Sequence, residues 1–427
     1  MSLAPRTLIG RGDRDANITP DDVRSLLAQA FDRPVFDGKR ALVIIPDATR
    51  SAPIPLLFKT LAETPGERVA ALDYLIALGT HPPMTAEAID RLVGVGAAER
   101  EQRYPKTRIF NHAWDDPAAL TSIGVIARRD ARRLSDELMT VEVPVTVNRL
   151  VTEYDVVLLC GPVFPHEVAG FSGGAKYLFP GVAGPEIINF THWLGALATS
   201  MRTIGVKDTP VRRVIHHAAR FAPRPLVCLC FALEGEAIRG LFIGPYEDAW
   251  NAAADLAAQL HIIRMPRAFT SVLSAPAARY DDLWTAAKAM YKTEPIVADG
   301  GEVIIYAPNI KEVSYTHGAL IDQVGYHVRD YFLRQWEKFA DVPGMILAHS
   351  THVKGAGTYD AATAHEQPRI QVTLATGIPE ERCRRINLGY RDYHTINPLD
   401  WAHREDEGLF YVPDAGETLY RLQEDVS

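Results

Sequence analysis

Apolar runs alternate with helix-like segments along the first half of the chain. The runs at 41–45, 70–78 and 156–160 carry little charge, and each ends in turn residues. Such runs are typical of parallel strands that are buried on both faces. Acidic residues after Thr19-Pro20 begin a predicted helix over 18–31. The alternation predicts a doubly wound α/β domain.

A second α/β pattern begins after a break at Met265-Pro266-Arg267. The other predicted elements are strands at 108–112, 226–233, 239–243, 302–306, 345–349, 370–375 and 385–388 and helices at 246–260, 280–291 and 318–339. A chain of 427 residues is too long for one ordinary core. We predict a parallel-sheet N-terminal domain over 1–266 and a smaller α/β domain over 267–407. The tail 408–427 is expected to pack back on the first domain, and the active site to lie in the cleft between the domains.

Composition narrows the class of protein. Hydrophobic residues make up 47% of the chain and charged residues 23%, as in globular enzymes, and the net charge of −8 argues against a nucleic-acid partner. No apolar run reaches the roughly 18 residues that a membrane span needs, and the N-terminus lacks the apolar region of a signal peptide. The four cysteines show no C-x-x-C spacing. We therefore expect a cytoplasmic protein with buried free thiols and no membrane partner.

Polar residues follow several predicted strands. They are Asp47 and Arg50, His81, Asn111 and His112, and finally His166 with Lys176. Because open α/β sheets bind ligands at the carboxyl ends of their strands, these residues are candidates for one site. Each also has an ordinary explanation, such as a helix-capping Asp47 with a surface Arg50, or a core histidine.

The segment 170–181, with sequence GFSGGAKYLFPG, is the strongest candidate for a ligand-binding loop. Glycines let the backbone approach a bulky ligand because they have no Cβ. The segment is neither a GxxxxGK[ST] phosphate loop nor a GxGxxG fingerprint. It is also typical of a plain tight turn, in which Lys176 would be solvated or contact a phosphate.

Two histidines near one site suit racemisation or epimerisation. Imidazole titrates near pH 6.5, so His81 and His166 could remove and return protons at either face of a carbon centre. A hydrolase that used Ser172 as its nucleophile would need a G-x-S-x-G elbow, which the sequence lacks here.

The segment from His166 through GFSGGAKYLFPG to His192 resembles the nickel-pincer lactate racemase family. Asp47-Ala48-Thr49-Arg50 matches the D-x-T-R signature of that family. The resemblance extends from Asp47 to Lys288 by motif. It implies that Lys176 carries a nickel-pincer nucleotide, a pyridinium-3-thioamide-5-thiocarboxylic acid mononucleotide bound to nickel, and that His192 supplies the remaining nickel ligand.

The resemblance also assigns contacts and a reaction. Cofactor contacts are expected from Lys176, Asp47, Thr49, Gly170, Ser172, Gly173 and Gly174, and substrate contacts from Arg50, Trp284, Thr285 and Lys288. The implied enzyme is a 2-hydroxyacid racemase or epimerase that transfers the C2 hydride through a 2-keto acid. His81, His166, Arg50 and Lys288 are its expected catalytic groups, and cofactor-synthesis proteins load it.

One departure from the family bears on the substrate. Lactate-type members have tyrosine and glutamine where this chain has Trp284 and Thr285. We therefore expect a larger or polyhydroxylated acid, such as an aldonate. The alternatives are a racemase of lactate or another short hydroxy acid and a ligand-binding paralogue without activity.

Overall fold

The computed structural model describes residues 7–31 and 34–423 of the chain. Its strands are β1 (Ile9–Gly12), β2 (Arg40–Ile45), β3 (Ala71–Ile76), β4 (Ile109–Asn111), β5 (Leu120–Ile126), β6 (Val143–Asn148), β7 (Val156–Pro162), β8 (Pro165–His166), β9 (Gly170–Phe171), β10 (Leu226–Glu234), β11 (Ala237–Pro245), β12 (Ile262–Met265), β13 (Phe269–Pro276), β14 (Val297–Ala307), β15 (Gly357–Asp360), β16 (His365–Pro368), β17 (Gln371–Thr376), β18 (Gly389–Tyr390), β19 (Leu409–Ala415) and β20 (Leu419–Leu422).

The helices are α1 (Pro20–Phe31), α2 (Ile54–Glu63), α3 (Ala86–Val93), α4 (Ala97–Arg103), α5 (Arg128–Leu134), α6 (Leu150–Glu153), α7 (Pro185–Ala198), α8 (Ser200–Thr203), α9 (Pro210–Ala219), α10 (Tyr246–His261), α11 (Leu283–Ala286), α12 (Lys288–Tyr291), α13 (Gly318–Val324), α14 (Arg329–Arg334), α15 (Trp336–Phe339), α16 (Gly344–Lys354) and α17 (Glu380–Arg385). Short 3-10 turns lie at Pro34–Phe36, Pro117–Ala119, Gly174–Tyr177, Glu294–Ile296, Tyr393–Thr395, Pro398–Trp401 and Glu405–Glu407. Over the described residues, no helix is long and apolar enough to span a bilayer.

The chain divides into two compact units that exchange segments. The first unit comprises Met1–Phe164, Phe171–Ile188 and Arg212–Leu260, and the second comprises Pro165–Gly170, Asn189–Val211 and His261–Ser427. The chain passes from the first unit into the second for the last time after Leu260, near the domain boundary predicted at 266. The earlier crossings were not predicted, and they place His166 and His192 in the second unit.

The first unit is built on a seven-stranded sheet with the order β1-β11-β10-β7-β2-β3-β4. Strands β10, β7, β2, β3 and β4 run parallel, as predicted, and β1 and β11 run antiparallel to their neighbours. The apolar runs of β2, β3 and β7 are almost wholly buried, and they form the main core with α1 and α2. Helix α1 begins where Thr19 and Asp22 cap each other through reciprocal hydrogen bonds.

The second unit contains a five-stranded parallel sheet with the order β18-β17-β14-β13-β19. The predicted strands at 302–306 and 370–375 correspond to β14 and β17. The predicted α/β fold class is therefore confirmed in both halves of the chain.

The tail differs in detail from the expectation that it packs on the first domain. Strand β19 pairs with β13, and β20 pairs with β12, so both strands belong to the second unit. Strand β12 precedes the boundary predicted at 266. Residues 424–427 of the predicted tail lie outside the described residues.

Three predicted elements were wrong. The helix predicted over 318–339 is three helices, because Gly325 at φ 74° ends α13. The strand predicted at 345–349 lies in α16, which is buried at every position from Met345 to Lys354 and so lacks the polar face of a surface helix. No strand occupies 385–388; instead α17 ends there, and Asn387 adopts φ 63° before β18.

Candidate functional site

Asp47 and His81 form a hydrogen-bonded pair in the first unit, just beyond β2 and β3. His81 Nδ1 lies 2.5 Å from Asp47 Oδ2, and the Thr49 hydroxyl donates to Asp47 Oδ1 at 2.6 Å. Asp47 is 6% exposed. Burial opposes its ionisation, yet the charge of His81, hydrogen bonds from His81 and Thr49, and the charge of Arg50 together hold the pKa of Asp47 well below its usual range. An ionised Asp47 accepts the Nδ1 hydrogen of His81, so neutral His81 presents a free Nε2 lone pair.

The predicted loop lies against the same strand ends. The Gly79 amide, two residues before His81, donates to the Gly181 carbonyl at 2.9 Å. The Tyr177 hydroxyl donates to the Pro162 carbonyl at 3.3 Å, and Tyr177 is close enough to Arg50 and Asp47 for their charges to act on it. Burial raises the pKa of Tyr177, which keeps the phenol neutral. The first unit thus brings together Asp47, Thr49, Arg50, His81 and the Lys176 loop.

Two buried side chains hold three consecutive carbonyls of this loop. The Arg212 guanidinium donates to the carbonyls of Phe171 and Gly173, and the Trp250 indole donates to the Ser172 carbonyl at 2.9 Å. The guanidinium also stacks over the Trp250 ring at 4.1 Å. Burial lowers the pKa of Arg212 to about 9, so the group remains charged at neutral pH. These contacts fix the loop backbone from one side.

Ser172 has a structural role on this loop. Its hydroxyl oxygen accepts from the Phe164 amide at 2.9 Å, and its own amide donates to the Phe164 carbonyl at 2.7 Å. These contacts supply no base to activate a nucleophile, in line with the missing G-x-S-x-G elbow.

Two loop glycines occupy backbone conformations that favour glycine. Gly173 has φ 75° and Gly174 has φ 61°, and a Cβ on Gly174 would lie 2.9 Å from Trp250 side-chain atoms. Lys176 follows them in a 3-10 turn and is partly exposed, whereas the preceding residues of the loop are buried. Gly170, at φ 79°, belongs to the second unit, where its carbonyl accepts from the Gly205 amide at 2.9 Å.

His166 is almost buried in the second unit. Its Nδ1 accepts a hydrogen bond from the Val168 amide at 3.1 Å and lies 3.5 Å from Glu167 Oε2. The preceding carbonyl, that of Pro165, accepts from Lys292 Nζ at 2.5 Å. Lys292 is only 2% exposed and was not singled out from the sequence. It lies four residues after Lys288, so the second unit brings His166 close to the segment that carries Lys288.

The Trp284 ring contacts two histidine rings. His349 stacks on its indole with centroids 4.1 Å apart, and His317 packs at 4.6 Å. The sequence predicted a substrate contact at Trp284 but not its contacts with His317 and His349, because both histidines are far away in sequence.

Thr285 and Lys288 are buried near Trp284. The Thr285 hydroxyl lies 2.8 Å from Asp282 Oδ1, in the cap that begins α11, so its hydrogen is used within the protein. Lys288 Nζ lies 4.3 Å from the centroid of the Tyr280 ring, a cation–π contact.

His192 lies on α7 and is partly exposed. It is near enough to His349 for their charges to interact. The helix is held by the Met345 amide, which donates to Asn189 Oδ1 at 3.2 Å, and by Arg329, which donates to the Leu197 carbonyl at 3.0 Å. Residues 7–31 and 34–423 contain no group of three His, Cys, Asp or Glu side chains arranged to hold a metal ion.

Two strand-end candidates are structural. His112 is buried, with Nε2 3.0 Å from the Ala183 carbonyl and Nδ1 accepting from Asn148 at 3.2 Å. Burial lowers the pKa of His112 to about 4. The Asn111 side chain makes two hydrogen bonds to the backbone of Met84.

The four cysteines form no disulfide and are buried, as predicted for Cys160, Cys228 and Cys230.

Comparison with known proteins identifies relatives. Residues 23–205 match the family model described as the lactate racemase N-terminal domain. A lactate racemase of Thermoanaerobacterium thermosaccharolyticum is 24% identical over 311 residues, which cover 69% of this chain and 67% of that protein. A lactate racemase of Lactiplantibacillus plantarum is 25% identical over 280 residues, which cover 63% of this chain and 60% of that protein.

Solved structures share the fold. A Thermotoga maritima protein superposes with a TM-score of 0.87 at 30% identity, covering 95% of this chain and 98% of that chain. The lactate racemase apoprotein of Thermoanaerobacterium thermosaccharolyticum superposes with a TM-score of 0.69 at 18% identity, covering 97% of this chain and 94% of that chain. At that identity the second likeness concerns the fold alone.

Proposed function

The chain belongs to the lactate racemase family, and from that membership we propose that it is a nickel-dependent racemase or epimerase that inverts C2 of a 2-hydroxy acid through a 2-keto acid. The observation that carries the proposal is the Asp47–His81 pair beside a loop whose one amine is Lys176. The enzyme is proposed to work in the cytoplasm after loading by cofactor-synthesis proteins.

The residues present fit a lysine-linked nickel-pincer nucleotide. Lys176 offers a partly exposed amine on a loop whose carbonyls are held from the other side, and His192 offers a partly exposed imidazole, a ligand that nickel accepts well. When bound, such a group supplies a pyridinium carbon that can accept and return a hydride. Asp47, Thr49, Ser172 and the loop glycines would shape its binding site, whereas the protein supplies orientation and charge.

His81 is suited to act as a general base. Asp47 holds the Nδ1 hydrogen of His81, so the Nε2 lone pair is available to take the proton of the C2 hydroxyl. The same carboxylate stabilises the imidazolium that results. His166 is proposed as the second acid–base group, which returns the proton when the 2-keto acid is reduced on its other face.

Arg50 and Lys288 are proposed to hold the substrate carboxylate and its neighbouring oxygens. A guanidinium binds a carboxylate through two parallel hydrogen bonds and stays charged at any working pH. Lys288, stacked on Tyr280, offers a compact charge for the remaining oxygens. Fixing the carboxylate orients C2 for inversion, and the preferred substrate is proposed to be a larger or polyhydroxylated acid.

A modification experiment tests this function. Protein made together with cofactor-synthesis proteins should gain the mass of one nucleotide adduct, mapped to the peptide that carries Lys176, and should racemise or epimerise a 2-hydroxy acid on chiral chromatography. Lys176→Arg keeps the charge but should lose both. An adduct elsewhere, or activity without any adduct, would contradict the proposal.

The second candidate is racemisation of lactate itself, which the curated relatives' names favour. A substrate panel on the same loaded protein separates the two candidates. Adduct formation with no turnover of any 2-hydroxy acid would instead identify a binding protein.

A further inference from the structure

We propose that Glu167 is the positioning residue of His166: its carboxylate holds the Nδ1 hydrogen and so makes His166 able to act as a base. This inference rests on the proposed function, because it concerns the second acid–base group. Glu167 would do for His166 what Asp47 does for His81.

The ring nitrogen of His166 has two competing neighbours. The Val168 amide donates to Nδ1 at 3.1 Å, while Glu167 Oε2 lies 3.5 Å from the same nitrogen. An amide hydrogen and a hydrogen on Nδ1 cannot point at each other. The Val168 contact therefore requires the neutral tautomer with its hydrogen on Nε2.

That tautomer can donate from Nε2 but cannot accept a proton there. A base at Nε2 needs the hydrogen to be on Nδ1, where an acceptor must receive it. Glu167 offers such an acceptor, since a carboxylate has only lone pairs to present. When Nε2 then takes the hydroxyl proton of the substrate, the ring becomes an imidazolium whose Nδ1–H stays bonded to Glu167. No proton other than the substrate's is gained or lost in that step.

The backbone around this pair is held on both sides. Lys292 Nζ donates to the Pro165 carbonyl at 2.5 Å and to the Glu417 carbonyl at 3.1 Å, and the Thr203 hydroxyl donates to the Glu167 carbonyl at 2.8 Å. Short side-chain movements are therefore enough to exchange the partner of Nδ1, without a change in the turn itself. The Glu167 side chain is 14% exposed, so its charge is only partly hydrated.

Two further ionisable groups near this pair are Lys292 and His352. His352 is close enough for Glu167 to act on its charge, but burial lowers the pKa of His352 to about 4. His352 is therefore neutral at neutral pH.

The two acid–base groups are thus unequal. The pair of His81 with Asp47 is short, at 2.5 Å, whereas His166 starts on the Val168 amide and reaches its carboxylate at 3.5 Å. His81 is ready as a base, and His166 is ready as a hydrogen-bond donor. Each enantiomer should then depend on a different carboxylate for removal of its hydroxyl proton.

Histidine tautomers in the cofactor-free protein provide the first test. Nitrogen-15 spectra of selectively labelled protein report which ring nitrogen carries the hydrogen, and His166→Gln identifies the His166 signals. Exchange of the Nδ1 partner predicts that wild-type His166 populates both tautomers, so that part of its signal shows the hydrogen on Nδ1. In Glu167→Gln that part should fall, and Glu167→Asp should restore some of it. An unchanged tautomer in folded Glu167→Gln overturns the proposal.

Glu366→Gln is a matched control. Glu366 is also 14% exposed and accepts from a histidine, with Oε2 3.0 Å from His327 Nδ1. Its loss should alter the His327 signals and leave those of His166 unchanged. A shift of His166 in Glu366→Gln equal to that in Glu167→Gln would mean a general structural effect, and would also overturn the proposal.

Single-turnover formation of the 2-keto acid from each enantiomer gives the second test. Glu167→Gln should slow formation from one enantiomer by ~10-fold or more, but by less than the ~10²- to 10⁴-fold contributed by a general acid–base group itself. Asp47→Asn should slow formation from the other. Steady-state kcat/KM is unsuitable, because the equilibrium constant of racemisation fixes the ratio for the two enantiomers.

The outcomes separate the two proposals. A wild-type protein that fails to turn over any acid while Glu167→Gln still shifts the tautomer defeats the proposed function and keeps the positioning role. Turnover with equal slowing of both enantiomers in Glu167→Gln defeats the positioning role and keeps the function.

Discussion

At the scale of single residues, hydrogen-bond partners decide chemistry that residue type leaves open. His81 and His166 were indistinguishable in the sequence, yet one faces a buried carboxylate and the other a backbone amide. Asp47 was predicted to contact a cofactor, and the structure also pairs it with His81. A residue's neighbours therefore refine its proposed role.

Asp47 should make stability depend on pH. The pKa of Asp47 is lower in the folded protein than the ~3.9 of an unfolded chain, so its ionised form stabilises the fold above about pH 4. That stabilisation should be lost as pH falls further, toward the folded-state pKa. Asp47→Asn should therefore show a flatter fall in unfolding free energy below about pH 4, measured by urea titration.

The control for this measurement is Asp299→Asn, at an aspartate whose side chain is 88% exposed. It should follow the wild-type curve, since surface ion pairs contribute little. If Asp47→Asn and the wild type lose stability in parallel down to pH 2, the depressed pKa of Asp47 is not the cause.

His192 should be needed for nickel retention. In His192→Ala the loaded protein should lose its nickel on dialysis, measured by elemental analysis, while circular dichroism stays unchanged because the side chain is partly exposed. His394→Ala, at a histidine that is 71% exposed, should keep the metal. Full nickel occupancy in His192→Ala would place the ligand elsewhere.

At the scale of elements, helix α9 fixes the Lys176 loop through one buried cation. Arg212 donates to two loop carbonyls and stacks on Trp250 from α10. A glycine-rich loop loses much conformational entropy on ordering, so it needs such restraints. The loop is thereby shaped before any ligand arrives.

Loss of Arg212 should therefore be costly. Arg212→Ala removes a buried group and leaves loop carbonyls without their donor, which should destabilise the fold by ~1–3 kcal/mol per orphaned group. Arg213→Ala, on the same helix, removes a partly exposed ion pair with Asp136 and should cost less than about 1 kcal/mol. Urea unfolding compares the two, and equal losses would mean that Arg212 does not restrain the loop.

Elements also show where sequence patterns mislead. Helix α16 is buried on all sides, so its sequence lacks the periodicity that marks a surface helix. The interruption of 318–339 depends on Gly325, a single residue with positive φ inside an otherwise helix-like stretch. Such a break is visible only when the backbone conformation is known.

At the scale of the whole molecule, the surroundings of Trp284 bear on the proposed substrate. The resemblance implies a tyrosine at this position in lactate-type members, and two histidine rings contact the indole that stands here. The methyl group of lactate would gain little binding free energy by packing against these rings, at ~0.8 kcal/mol per buried CH₂. A hydroxylated chain could gain more binding free energy through hydrogen bonds to Lys288.

We therefore expect lactate to be a poor substrate. The measurement is kcat/KM for lactate against malate, 2-hydroxybutyrate and gluconate on one loaded preparation. A four- to six-carbon hydroxy acid should come out ahead, and gluconate should gain most if chain hydroxyls matter. If lactate is fastest, the argument from position 284 is wrong.

The sequence by itself determined the fold class, the parallel strands of the first sheet and the loop with Lys176. These features follow from local properties, namely uninterrupted apolar runs, glycines and a specific motif. Tertiary structure alone decided how the chain divides into units. The second unit includes Pro165–Gly170 and Asn189–Val211. Tertiary structure alone also paired His81 with Asp47, 34 residues away, and brought the rings of His317 and His349 into contact with Trp284. The physical reason is that such contacts join residues far apart in sequence, where no local periodicity or spacing records which partner will be met.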